Sequence, residues 1–112
     1  MDGLKKQYKS LSSKEFKDVY EKGEKIVTPF FVLFVLKGRD SFKAGVVASK
    51  KIGKAVKRNR AKRRLREIIR LSQPYLPRDC WIVLIARRGV LEANFERMRN
   101  LFLDKVSNGF NN

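Results

Sequence analysis

The sequence predicts one small domain that mixes helices and strands. Two apolar runs, PFFVLFVL from Pro29 and WIVLIA from Trp81, are rich in β-branched and aromatic residues and too short for lone buried helices. Around Phe16–Tyr20 and again over Leu91–Val106, apolar residues recur at helical spacing. Between them, SKKIGKAVKRNRAKRRLREIIR from Ser49 to Arg70 threads an apolar stripe through dense positive charge. The chain has 112 residues, 43% of them hydrophobic, enough for one modest core. No internal repeat or second domain is visible, so residues 1–112 read as a single unit.

Residues 1–10 are polar and basic and read as a mobile arm. Ser12 followed by Glu15 has the spacing of a capping box and predicts a helix from Ser13 to Lys22, closed by Gly23 at the C′ position. Phe16, Val19 and Tyr20 share one face of it. A short strand is expected around Lys25–Val27, with Pro29 marking a bend. In the strand that follows, Phe30, Val32, Phe34 and Leu36 point one way and Phe31, Leu33 and Val35 the other. Gly38-Arg39-Asp40 looks like a hairpin turn leading into a strand over Phe42–Ala48. The basic stretch predicts a helix over Lys54–Leu71, and Pro74 and Pro77 make a loop after it. Trp81–Ala86 is apolar on both faces, as a central strand would be. A last helix, Glu92–Val106, sets Leu91, Phe95, Met98, Phe102 and Val106 on its core side.

The formal net charge is +16, from 27 basic and 11 acidic residues. Eleven Lys or Arg and one acid, Glu67, fall between Lys50 and Arg70. Like charges so concentrated destabilise a fold unless a polyanion neutralises them, which points to nucleic acid first and a membrane surface second. On a helical wheel, Ala61, Leu65, Ile68 and Ile69 form one stripe, while Asn59, Arg63, Arg66 and Arg70 fall within a band of roughly 60° opposite. The segment therefore reads as a folded surface helix rather than a solvated tail. Guanidinium groups offer planar, paired donors suited to phosphates, which accounts for arginine in the middle of the row. Lys50, Lys51, Lys54, Lys57, Arg58 and Arg60 gather at its N-terminal end, where the helix dipole also attracts anions. Sulfate or phosphate is expected to bind there.

Other chemistry is poorly supplied. Histidine is absent, Cys80 is the sole cysteine and reads as a small buried hydrophobe, and the acids are scattered. The composition suits a binder better than a self-sufficient catalyst. No signal peptide or membrane-spanning run is visible, so a cytoplasmic location is expected.

KEFKDVYEKG, FFVLFVL, AGVVASKKIGKAVKRNRAKRRLREIIR and DCWIVLIARRG, in that order and spacing, resemble the protein component of bacterial ribonuclease P over about Leu4 to Val106. The most specific part is Arg58-Asn59-Arg60 continuing through Lys62, Arg63 and Arg66. The resemblance implies an α+β domain of order α-β-β-β-α-β-α, with a mixed four-stranded sheet and a left-handed crossover through the arginine-rich helix. It implies a ribonucleoprotein endonuclease whose RNA subunit holds the active site and its magnesium ions, the protein binding no cofactor and supplying no catalytic residue. The substrate is precursor transfer RNA, cut to release the 5′ leader. Carried onto this chain, Lys50, Lys51, Lys54, Arg58, Asn59, Arg60, Lys62, Arg63, Arg66 and Arg70 would meet the catalytic RNA or nearby phosphates. Phe16, Tyr20 and Phe34 would line the cleft for the single-stranded leader, although spacing alone would make them core. Tyr20 and Phe34 exchange the hydroxylated and plain rings of commoner members, which leaves stacking intact. The rival readings are a structural ribosomal-RNA binder and a DNA-coating protein.

Overall fold

The computed structural model describes residues 8–109. Eight elements follow in order: β1 (Lys9–Ser10), α1 (Ser13–Lys22), β2 (Glu24–Val27), β3 (Phe31–Lys37), β4 (Lys43–Val47), α2 (Ala55–Ser72), β5 (Cys80–Ala86) and α3 (Phe95–Gly109). Short 3-10 turns at Lys50–Ile52, Gln73–Tyr75 and Arg88–Leu91 join them. The capping box forms as expected: Ser12 Oγ accepts from the Glu15 amide and Glu15 Oε1 from the Ser12 amide.

The sheet has five strands, in the order β1-β4-β5-β3-β2, not the four expected. The additional strand lies within the segment expected to be an arm. Lys9 and Ser10 pair with Lys43 and Ala44 in parallel, covering an edge of β4 that would otherwise present unpaired backbone groups. The rest of the expected arm, residues 1–7, lies outside the described residues.

The turn after β3 also differs from expectation. Gly38, at φ 78°, reverses the chain, but β3 and β4 do not pair as a hairpin. β5 runs between them, antiparallel to β3 from Phe31↔Ala86 to Lys37↔Cys80 and parallel to β4 from Lys43↔Trp81 to Val47↔Ile85. The Arg39 amide donates to the Asp79 carbonyl, which ties the turn to the start of β5. As the apolar composition of Trp81–Ala86 predicted, β5 is central, with Ile82, Val83 and Leu84 fully buried. Gly23 closes α1 in extended backbone, φ −81°, not in the left-handed conformation of a usual C′ glycine. Close approach explains the glycine: a Cβ there would lie 2.6 Å from the Val19 carbonyl oxygen and 2.9 Å from that of Val35.

The two faces of β3 go where the alternation placed them. Phe31, Leu33 and Val35 join Ile82 and Leu84 beneath α2 and α3, which contribute Ala61, Leu65, Ile68 and Ile69, and Met98, Phe102 and Val106. Phe31 meets Phe102 edge-on with centroids 6.2 Å apart. Each such fully buried side chain stabilises the fold by roughly 1.5–3 kcal/mol. Cys80 belongs to this core, and burial pushes its thiol pKa up to about 12, which removes it from thiolate chemistry. The other face is covered less completely. There Val19 of α1 packs on Leu36 and Val83, while Phe16, Phe34, Val47, Trp81 and Ile85 remain only partly buried.

Candidate nucleic-acid interface

α2 starts at Ala55 and ends at Ser72, and its apolar stripe docks as its spacing predicts. On the outer side, Asn59, Arg60, Arg63 and Arg66 are exposed. Three other arginines of this helix are committed within the protein. Arg58 donates from Nη1 to the Gly53 carbonyl at 2.8 Å. Arg64 reaches the Ala93 carbonyl and lies over the Phe95 ring, fastening α2 to the start of α3. Arg70 forms a two-pronged ion pair with Glu67, which holds the Glu67 carboxyl below its usual pKa. The guanidinium row is therefore uneven: Arg63 and Arg66 face out, whereas Arg70 is half-neutralised by the single acid of the stretch.

Ahead of the helix, Ser49 Oγ accepts from the Lys51 amide and starts the turn that displays Lys50 and Lys51. Lys54 is the N-cap of α2 without a side-chain cap, and the first helical turn carries no acid. That end of the helix is both positively charged and rich in free amide donors.

The aromatic residues form a continuous strip. Phe16 and Tyr20 sit 6.1 Å apart on α1, and Tyr20 meets Phe34 of β3 edge-on at 5.1 Å. Tyr20 is 40% exposed, whereas Phe16 and Phe34 are partly buried, so the strip is neither core nor fully open surface. Gly45 of β4 makes room for it: a Cβ there would fall 2.2 Å from Phe16 Cζ. Lys25 lies 6.0 Å above Phe34. On the same face, Trp81 carries Arg39 and Lys43 at 5.4 and 5.2 Å, and Lys43 is also paired with Glu15 at 2.5 Å.

The arginine face and the aromatic strip adjoin. A concavity of about 180 Å³ is lined by Arg66 and Tyr8 together with Phe16 and Gly45. Past the far end of the sheet a larger concavity, about 720 Å³, is lined by Ile85, Arg87, Arg88, Ser49 and Lys51. There Arg88 donates to the Lys51 carbonyl and Arg87 to the Thr28 carbonyl, both at 3.2 Å. Sequence reasoning passed over Arg87 and Arg88. Two adjacent arginines closing a central strand were the available signal, and only the folded structure shows that Arg88 meets Lys51 and Arg87 meets Thr28.

Comparison with known proteins places the chain in a family. A family model described as Ribonuclease P matches residues 4–108. The chain belongs to the ribonuclease P protein family. The ribonuclease P protein component of Symbiobacterium thermophilum is 41% identical over 98 residues, 86% of this chain and 85% of that protein. That of Streptococcus agalactiae is 38% identical over 96 residues, 85% of this chain and 87% of the relative. Among solved structures, the ribonuclease P protein of Thermotoga maritima superposes with a TM-score of 0.75 at 29% identity, covering 88% of this chain and 94% of its own. Arg58-Asn59-Arg60 falls on the first turns of α2, and its two arginines diverge: Arg60 is open to solvent and Arg58 is anchored to Gly53.

Proposed function

We propose that this chain is the protein subunit of a ribonucleoprotein ribonuclease P and works by holding RNA, not by breaking bonds itself. In this reading the basic face of α2, with Lys50, Lys51, Lys54, Arg60 and Lys62 around Asn59, Arg63 and Arg66, neutralises phosphates of the catalytic RNA. Arg58, held on Gly53, and Arg70, paired with Glu67, add positive charge at its edges and not free guanidinium donors. Phe16, Tyr20 and Phe34 receive the single-stranded 5′ leader of precursor transfer RNA. The observation that carries the proposal is the junction of the two surfaces at Arg66 and Phe16. A strand lying along the aromatic strip would have its phosphates within reach of the helix, so leader and catalytic RNA would be held side by side.

Physical chemistry divides the labour. Phosphate neutralisation releases counterions and supplies affinity without sequence preference. Base stacking on aromatic rings adds roughly 1–3 kcal/mol per base for any base, as a subunit serving many precursors requires. Arg87 and Arg88 extend the cleft past Ile85 and would take leader phosphates further from the cleavage site. The magnesium ions belong to the RNA in this scheme. Among the described residues no three acidic, cysteine or histidine side chains gather in a way that could hold a metal. The left-handed sense of the β4–α2–β5 crossover, a cytoplasmic location and the binding of sulfate or phosphate to the basic face are parts of the same proposal.

Reconstitution tests it. The full chain added to a bacterial ribonuclease P RNA at low magnesium is expected to stimulate cleavage of leader-bearing precursor transfer RNA. Binding to the RNA without stimulation would instead favour a structural RNA-binding role.

A further inference from the structure

A groove of about 360 Å³ separates the polar face of α2 from the residue just ahead of β1. Asn59, Lys62, Arg63 and Arg66 line it from the helix, the Glu67–Arg70 pair flanks it, and Tyr8 contributes the only ring. The β1–β4 pairing fixes Tyr8 in place, because Lys9↔Lys43 brings it beside Phe42, which it meets edge-on at 6.1 Å. Burial pushes the Tyr8 phenol pKa up to about 12.

We propose that this groove takes a single unstacked nucleotide of an RNA strand, with its base against Tyr8 and its phosphate on Arg63 and Arg66. The proposal rests on the reading of α2 as an RNA-facing helix and names what one part of that face binds. A site for phosphate alone needs guanidinium groups but no aromatic wall. Here the two lie across one groove, the combination by which proteins capture bases splayed out of a stack. The Asn59 carboxamide offers both a donor and an acceptor to a base edge. Glu67, ionised and paired with Arg70, adds no net charge to the groove together with its partner. The volume falls in the roughly 300–1,000 Å³ range of small-ligand sites. An acidic peptide would satisfy the arginines and leave the ring unused.

The test uses the full chain without any RNA partner. Adenosine 5′-monophosphate and inorganic phosphate are titrated separately at fixed ionic strength, and amide chemical shifts are followed. The mononucleotide is expected to bind at least about fivefold more tightly than phosphate, the low end of stacking on one aromatic ring, and to move the amides of Tyr8, Asn59 and Arg63. Tyr8→Leu should remove most of the mononucleotide's advantage without changing phosphate affinity, and Tyr8→Phe should keep the preference. Asn59→Ala, on an exposed helical position, should weaken the mononucleotide alone and serves if Tyr8→Leu does not fold. Equal affinity for the two ligands, parallel losses for both in these variants, or shifts confined to other surfaces would overturn the proposal. Mononucleotide preference without stimulation of cleavage would support the groove and reject the ribonuclease P reading; stimulation without that preference would do the reverse.

Discussion

Gly45→Ala probes how the sheet shapes the aromatic strip. The glycine lies in β4 with ordinary backbone, so alanine is compatible with the strand. The added methyl would approach Phe16 Cζ to 2.2 Å and Cε1 to 2.7 Å, which forces the ring off the sheet. Phe16 is only partly buried, so displacing it should cost about half of a full phenylalanine burial, on the order of 1–1.5 kcal/mol. Against this, relieving the conformational freedom of a strand glycine contributes roughly 0.5–1 kcal/mol. The net change in the native background should be a small loss, about 0.5 kcal/mol. In a Phe16→Ala background the clash is gone, and Gly45→Ala should stabilise by roughly 0.5–1 kcal/mol. Urea unfolding of the four proteins reads both values. Binding of leader-bearing precursor should fall in Gly45→Ala even though Phe16 itself is unchanged. An identical effect of Gly45→Ala in the two backgrounds would refute the packing of Phe16 on Gly45 and with it the account of how the ring is seated.

Phe16→Ala and Tyr20→Ala should each weaken leader-bearing precursor by roughly 1–3 kcal/mol and leave mature transfer RNA untouched in a filter-binding comparison. Arg87→Ala with Arg88→Ala should reduce the dependence of precursor affinity on salt, by about 0.7 in log–log slope for each single-strand phosphate that the pair no longer neutralises. A slope equal to that of the unmodified chain would remove both residues from the interface. The Lys43 hydrogen bond, helped by the Ser12 amide, holds the Glu15 carboxyl below its usual pKa of 4.5. A group depressed in the folded state contributes stability above its unfolded pKa and loses it as pH falls through the folded value. The urea midpoint should therefore drop below about pH 4.5, less steeply in Glu15→Gln, and Lys43→Gln should flatten the same window if Lys43 is the cause.

Local chemistry made much of this molecule legible in advance. Ser12 and Glu15 announced the start of α1, and the alternation of PFFVLFVL put Phe31, Leu33 and Val35 on one face and Phe34 and Leu36 on the other. Phe30, ahead of the first residue of β3, packs with the first set and not with the second as expected. The spacing of Ala61, Leu65, Ile68 and Ile69 separated the docked stripe of α2 from its charged side. These features depend on neighbours within a turn or two along the chain, so their periods can be read from residue order. Arg58, Arg64 and Arg70 look alike in the sequence, yet they end on Gly53, Ala93 and Glu67.

The sequence by itself determined the three helices and four of the five strands, the apolar stripe of α2, and where positive charge concentrates. Only the tertiary structure decided that β5 enters between β3 and β4, that Lys9 and Ser10 complete the sheet, and that Arg88 meets Lys51. The physical reason is that periodicity specifies a face but not its partner. Backbone hydrogen bonds between strands carry no side-chain signature, and a long side chain takes whichever acceptor the folded chain brings within reach.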